Sequence, residues 1–403
     1  MPDAQPTFAF DPLDEAVRRD PFPLYARGRR ELPVLPHRGL PLRLFSVFRY
    51  ADCQAILRDD RTWSNDFQTL AGLDEAELPP PSMLGMDGAE HHRLRSLVNK
   101  AFTPRIVKRL EERMAQIADD LVATAVAAGE VDLVQALTYP LPVTIIAEII
   151  GVPTRDREQF KEWSDQAVAL LGTGFFGAID PERLRRQRAL LDEMHAYFVP
   201  LAEERRRDPR EDLITGLVQV EHEGSRLSHE EMLAMLTLIL VAGNETTTTL
   251  IGNAVLELLA HPDSLRQLRE DPALLPRAIE EVLRFASPVQ FDPRRATRDL
   301  ELGGQPIQEN DMVLCWLGSA NRDEEVFEEP DRFDIRRAPN PHLAFGFGVH
   351  YCMGSNLARL EAEVALRALL QRAPHWERAG SDPLPLHPSP VFRAVTKLPL
   401  RLA

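Results

Sequence analysis

Phe345-Gly346-Phe347-Gly348-Val349-His350-Tyr351-Cys352-Met353-Gly354 sets one cysteine between a glycine-punctuated turn and the alanine- and leucine-rich start of a helix. Gly346 and Gly348 can take backbone angles that other residues resist, so the chain can turn tightly and let a bulky group approach its backbone. A helix beginning near Met353 and running through Ala358, Arg359 and Leu360 would bring its positive end beside the Cys352 sulfur. That end favours thiolate, the form of cysteine that binds metal. On these residues alone two readings stand: a metal ligand, or a small buried structural cysteine.

The same ten residues match the haem-binding signature of the cytochrome P-450 family, Phe-Gly-x-Gly-x-His-x-Cys-x-Gly, at every specified position. The chain resembles that family from Asp20-Pro21-Phe22-Pro23-Leu24-Tyr25 to its C-terminal strand region. The resemblance implies a mainly α fold with small β-sheets, one large helical domain with a β-rich lobe over residues 1–403. It also implies haem b (iron protoporphyrin IX), held by Cys352 as iron ligand with Phe345 and Gly346 in the loop beneath it.

Composition agrees with one large helical unit. The 403 residues are 44% hydrophobic, and 33 prolines and 21 glycines are scattered between helical stretches without a linker, a repeat or a low-complexity segment. Lys and Arg number 47 against 62 Asp and Glu, a net charge of -15 that opposes nucleic acid and anionic lipid as partners. The apolar stretch from Met232 to Gly243 falls short of the roughly 18 to 20 residues that cross a bilayer, and Met1-Pro2-Asp3-Ala4-Gln5-Pro6 does not look like a signal peptide. A cytoplasmic monomer without a membrane anchor is expected. Cys53, Cys315 and Cys352 form no Cys-x-x-Cys pair, and the first two read as small apolar residues.

Ser228-His229-Glu230-Glu231 reads as a capping box, and apolar residues recur through Met232, Met235, Leu236, Leu238, Ile239 and Leu240 and again from Ile251 to Leu259. His261-Pro262 ends the pattern, which predicts a helix of roughly 30 residues and about 45 Å. Its middle, Val241-Ala242-Gly243-Asn244-Glu245-Thr246-Thr247-Thr248-Thr249, joins a glycine to a β-branched run, both poor helix formers. Ala242 and Thr246 share a face, so the threonine hydroxyl can bond the Ala242 carbonyl or release it, and Gly243 would leave a groove wide enough for dioxygen and water. An ordinary helix threonine beside a solvated glutamate would give the same residues. The resemblance assigns Ala242, Gly243, Glu245 and Thr246 to the family's oxygen-activation segment, with Glu245 and Thr246 as its acid and alcohol.

Glu281 and Arg284, three apart on a predicted helix over 276–285, can pair on one face. They match the family's Glu-x-x-Arg, and Phe327-Glu328-Glu329-Pro330-Asp331-Arg332-Phe333 matches its companion segment, which implies a buried network of Glu281, Arg284 and Arg332 steadying the cysteine loop. The resemblance further implies that His91, Arg95, Arg294 and His350 hold the two haem propionates, since buried carboxylates need cationic donors. Each arginine also reads as a solvated surface charge. Leu238, Val241, Val289, Phe291, Val391 and Phe392 are expected to line an apolar substrate pocket, with ordinary core positions as the alternative, and Leu170 to Gly177 to form an entrance segment.

The activity so implied is insertion of one oxygen atom from O2 into a C–H bond of a fatty acid, steroid, terpenoid or macrolide-like substrate. No flavin or nicotinamide fingerprint is present, so electrons would come from a ferredoxin or flavodoxin with an NAD(P)H-dependent reductase. Lys100, Arg105, Lys108, Arg109 and Arg359 offer a basic docking patch for that carrier. A peroxide-driven oxygenase and a non-catalytic haem protein are the alternatives.

Overall fold

The computed structural model describes residues 8–68, 82–101, 104–169, 181–222 and 225–403. Helices dominate, and the longest of them organises the rest. His229–Ala260 is a continuous α-helix of 32 residues, about 48 Å long. Its start is the capping box read from the sequence: the Glu231 N–H donates to Ser228 Oγ (3.1 Å) and the Ser228 N–H to Glu231 Oε2 (2.7 Å). It stops before Pro262, which opens the next helix.

This central helix packs against Pro140–Ile150, Arg157–Ala169, Leu275–Phe285 and Ser355–Arg372. Enclosure on several sides explains why Thr247 to Val255 is buried without interruption: a helix apolar all round needs neighbours all round. Contrary to the expectation from Met232 to Gly243 alone, the helix is long and apolar enough to pass for a membrane span, with a mean hydropathy of 1.3 over eighteen residues. Of that window 56% is already buried against other helices, as in the core helix of a folded domain.

Beside the helices lies a five-stranded sheet in the order Val34–His37, Leu44–Val47, Met312–Cys315, Asp292–Ala296, Trp63–Ser64. Met312–Cys315 runs parallel to Leu44–Val47, and the other neighbours are antiparallel. Leu44–Val47 and Met312–Cys315 lie in the sheet interior, where every residue is buried, and Cys53 and Cys315 sit fully buried as free thiols in the apolar cluster on it. A second sheet, Trp376–Arg378, Pro399–Leu402 and Glu130–Asp132, ties the C-terminal end to the turn after the helix Pro104–Ala128. The first sheet delivers Arg294, and the helix Ser355–Arg372 begins three residues after Cys352, so the two lobes meet at the cysteine loop.

Candidate haem and oxygen-activation site

The cysteine loop is bent by two left-handed glycines, Gly346 at φ 71° and Gly348 at φ 73°. At Gly348 a side chain is also excluded by space, because a Cβ would stand 2.5 Å from the Leu57 carbonyl oxygen. The Cys352 N–H then closes the loop on the Phe345 carbonyl (2.9 Å). From behind, Asn321 fixes the loop's entry: its Oδ1 accepts from the Leu343 N–H (2.6 Å) and its Nδ2 donates to Ser287 Oγ (2.8 Å). Cys352 itself is exposed and free of any disulfide.

Although one side of Cys352 is open, the protein packed around its other sides pushes the thiol up, against the pull of the Gly354 and Ser355 N–H groups and the guanidiniums of Arg95 and Arg359. The positive helix end expected from the sequence is therefore present but outweighed. A metal cation at the sulfur would reverse the balance, since a coordinating thiol is deprotonated outright.

Two arginines and two histidines gather around this loop. His91 is 1% exposed, and neither of its ring nitrogens has a protein partner. Its ring lies 4.1 Å from that of His350, and burial followed by the His350 and Arg95 charges brings its pKa down to about 4. His350 Nε2 faces Asp87 Oδ1 at 3.2 Å, and Arg95 Nη2 donates to the Tyr351 carbonyl (2.6 Å). Arg294 is buried, its Nη1 donating to Asp292 Oδ1 (2.5 Å) and to the Pro293 carbonyl (2.7 Å), while its Nη2 has no partner.

A buried polar group without a partner costs about 1 to 3 kcal/mol, so His91 and Arg294 would not stay unmatched beside one loop without compensation. Unmatched imidazole and guanidinium nitrogens are the donors that two buried carboxylates require, and Cys352 is the sulfur that an iron requires. The residues present fit the haem that the sequence implies.

Arg359 sits 4.5 Å over the Phe345 ring and grips Glu280 through Nε (2.6 Å) and Nη2 (3.0 Å). Burial would raise the Glu280 carboxyl, yet hydrogen bonds from His342 and Arg359 bring it down to about 2. Glu280, His342, Asp87 and Asn321 were not found in the sequence. Their partners lie far along the chain, and no short-range pattern announces them.

Glu281 and Arg284 are fully buried and paired twice, Nε to Oε2 at 2.8 Å and Nη2 to Oε1 at 2.7 Å. Arg284 also donates to the carbonyls of Asn321, Pro330 and Arg332, which uses its whole fork. The third side chain of the network is not Arg332. That guanidinium is 59% exposed and pairs with Glu329 and Asp334, so only its carbonyl takes part. Arg337 occupies the place instead, 11% exposed, with Nε on Glu281 at 3.2 Å and its other nitrogens on the carbonyls of Glu328, Glu329 and Arg332. The turn through 334–337 brings Arg337 inward and leaves Arg332 on the outside.

On the central helix, Ala242 is exposed although it lies mid-helix, and Leu238, Val241, Glu245 and Thr246 are partly open around it. The Thr246 hydroxyl donates to the Ala242 carbonyl (2.8 Å), the bonded one of its two expected states. Gly243 has a different physical reason from the expected groove: a Cβ there would meet Ile146 Cδ1 at 2.7 Å, so the glycine lets the central helix lie close on Pro140–Ile150. Asn244 donates to Ser164 Oγ (2.7 Å) and ties the central helix to Arg157–Ala169.

Glu245 is no solvated charge. Its side chain is 15% exposed, and burial reinforced by Asp165 pushes its carboxyl up to about 7. Of the expected pocket residues beyond this helix, Val289 and Val391 are partly open. Phe291 and Phe392 are core instead: Phe291 is 1% exposed with its ring 4.9 Å from Trp316, and Phe392 is 7% exposed against His387. Leu170 to Gly177 and the side chains of Arg105, Lys108 and Arg109 lie outside the described residues.

Comparison with known proteins gives the same answer as the geometry. The cytochrome P-450 family model matches residues 33–398. The chain is 40% identical to the cytochrome P-450 monooxygenase PikC of Streptomyces venezuelae over 98% of this chain and 94% of that protein. It is 39% identical to the vitamin D(3) 25-hydroxylase of Pseudonocardia autotrophica over 95% and 94%. The crystal structure of CYP109E1 from Bacillus megaterium in complex with testosterone superposes with a TM-score of 0.84 at 36% identity, covering 95% of this chain and 99% of that one. With a cysteine loop backed by a buried Glu-Arg pair, two buried polar side chains beside it with unmatched nitrogens, and a family match across nearly its whole length, the chain belongs to the cytochrome P-450 family, haem-iron oxidoreductases that incorporate oxygen from O2.

Proposed function

We propose that this chain binds haem b through Cys352 and inserts one atom of O2 into a C–H bond of an apolar small molecule, with electrons from a ferredoxin or flavodoxin and its NAD(P)H-dependent reductase. The observation that carries the reading is the pair of buried, unmatched donors, His91 and Arg294 Nη2, beside the Cys352 loop. When bound, a thiolate-ligated haem supplies the redox chemistry that favours O–O cleavage.

The chain's own residues have separable tasks. His91, Arg95, Arg294 and His350 orient the cofactor's carboxylates. Glu281, Arg284 and Arg337 hold the segment leading into the cysteine loop. Leu238, Val241, Val289 and Val391 present apolar surface that keeps water away from a substrate. Thr246, released from the Ala242 carbonyl, can offer its hydroxyl to a proton donor in the opening beside Ala242, and Glu245, with a carboxyl near 7, is set to give and regain protons at neutral pH.

Among the four substrate classes read from the sequence, a steroid-sized molecule is favoured by two relatives: one named for hydroxylating vitamin D(3), one crystallised with testosterone. Testosterone is the first probe, and a shift of the haem absorption band on its addition is the expected response.

The reduced, carbon monoxide-saturated protein should show the red-shifted Soret band of thiolate-ligated haem, and Cys352→Ser should lose it. An intact wild-type protein lacking that band would overturn the assignment. Thr246→Ala should lower turnover driven by O2 and reductase on the order of a hundredfold while sparing turnover driven by peroxide. Equal loss in both would remove the proton-relay role, and robust peroxide turnover with none from O2 in the wild type would favour a peroxide-driven enzyme.

A further inference from the structure

Glu245 has a neighbour that no motif foretells. His387 lies in the irregular C-terminal segment, and its Nε2 stands 3.7 Å from Glu245 Oε1, with side-chain exposures of 9% and 15%. Every other polar atom of His387 is already committed. Its N–H donates to the Ala394 carbonyl (2.9 Å), and its carbonyl accepts from Arg18 Nη2. Nδ1 accepts from the Ser389 N–H (3.1 Å), which leaves the ring proton on Nε2, the nitrogen that faces the carboxyl. The ring is wedged edge-on against Phe392, centroids 5.2 Å apart.

Among the described residues, the surroundings of Glu245 are otherwise acidic or neutral. Asp165 faces it from Arg157–Ala169, with the Tyr139 hydroxyl donating to Asp165, and Thr249 lies one turn further along the same helix. Arg18 is bonded to the His387 carbonyl, and its charge disfavours a protonated ring. Burial holds Glu245 protonated up to about 7 and lowers His387, so near neutrality the contact joins an uncharged imidazole N–H to a carboxyl on the point of ionising. At 3.7 Å the bond is not closed, and the two groups must approach by about 0.5 Å to make it.

We propose that His387 is a positioning residue for Glu245: its Nε2–H, aimed by the fold, receives the carboxylate each time Glu245 gives up a proton and so sets its orientation and acidity. The inference rests on the proton-relay role of Glu245. Losing this donor destabilises the carboxylate, so the sign of the effect on Glu245 is upward.

The test uses holoenzyme with His387→Ala and His387→Gln, glutamine retaining an N–H donor. The pH profile of O2-driven turnover should move up by about one unit in His387→Ala and return toward wild type in His387→Gln, with haem content unchanged. A second readout does not depend on turnover. In the reduced, carbon monoxide-bound protein labelled with 15N-histidine, the signals assigned to His387 by their loss in His387→Gln should report the Nε2–H tautomer. They should also shift near pH 7 with the ionisation of Glu245, and that step should vanish in Glu245→Gln. Signals unaffected by Glu245→Gln, or a pH profile identical in wild type and His387→Ala, would overturn the proposal. If O2-driven turnover is absent altogether, the relay reading fails while the His387–Glu245 coupling still stands or falls by the spectra.

Discussion

Replacing Arg337 by alanine should injure this protein far more than replacing Arg332, although Arg332 is the residue that sequence motifs single out. Arg337 touches a fully buried carboxylate and three backbone carbonyls and is itself 11% exposed. Its removal leaves Glu281 with the Arg284 fork, the Asp334 N–H and Asn340 Nδ2, but withdraws one of the two cations facing a carboxylate that water cannot reach. Breaking a buried charge pair costs about 3 to 5 kcal/mol, and the remaining hydrogen bonds put this case at the lower end, about 3 kcal/mol. With an unfolding entropy of about 2.1 cal/mol/K per residue, and 403 residues unfolding together, that is a fall in Tm of roughly 3 to 4 °C. Arg332→Ala removes only exposed pairs with Glu329 and Asp334 and spares the carbonyl that Arg284 uses, so its Tm should match wild type. Arg337→Lys keeps the charge but not the fork and should fall between. Thermal unfolding followed by circular dichroism, with the carbon monoxide spectrum as the measure of an intact cysteine loop, checks the series. Equal Tm losses for the two alanine variants would refute the reassignment, as would a silent Arg337→Ala.

Two further outcomes follow from packing and burial. Gly243→Ala gains about 1 kcal/mol of helix propensity but drives a methyl against Ile146 Cδ1 and Cγ1, so it should destabilise the wild type and become neutral or stabilising in an Ile146→Ala background, where both atoms are gone; denaturant melts of the four-protein cycle read the coupling. Glu361 is wholly buried with Oε2 unpartnered, and burial pushes its pKa up to about 8. The folded state therefore holds a proton that the unfolded chain releases in the ordinary carboxyl range, so this contribution to stability is full below that range and is lost as pH rises toward 8. Glu361→Gln should flatten that decline and leave the variant more stable than wild type at pH 8 in urea melts, and a parallel decline in both proteins would exclude the effect.

The parts of the fold and site that could be read from the sequence are those whose physics is local. Ser228 and Glu231 announce a helix start because a capping box closes within one turn, and Pro262 announces the stop because it cannot continue the ladder. Gly346 and Gly348 announce the loop because positive φ is a property of single residues. Pairing of Glu281 with Arg284 is legible because residues three apart on a helix share a face, but its third partner is not. From Pro330 to Phe347 the chain has no period, so nothing in the spacing tells which arginine turns inward.

Gly243 makes the same point from within a regular element. A glycine amid poor helix formers looks like a fault, yet its cause is Ile146 on another helix, and the helix runs through unbroken. Two residues of spacing likewise could not tell that Val289, partly open, packs with the Val313 and Cys315 face of the sheet while Phe291 is sealed against Trp316 on the other, because that division is made by the tertiary fold. The contact of His387 with Glu245 lies at the far limit of this series. It needs the C-terminal segment to fold back over the central helix, with Arg18, Ser389 and Ala394 all in place to aim one ring. Chemistry carried by residue type is thus visible in one dimension, and chemistry carried by direction is not. A motif therefore states which acid is present, while the residues that decide how that acid behaves must be found in the packing around it.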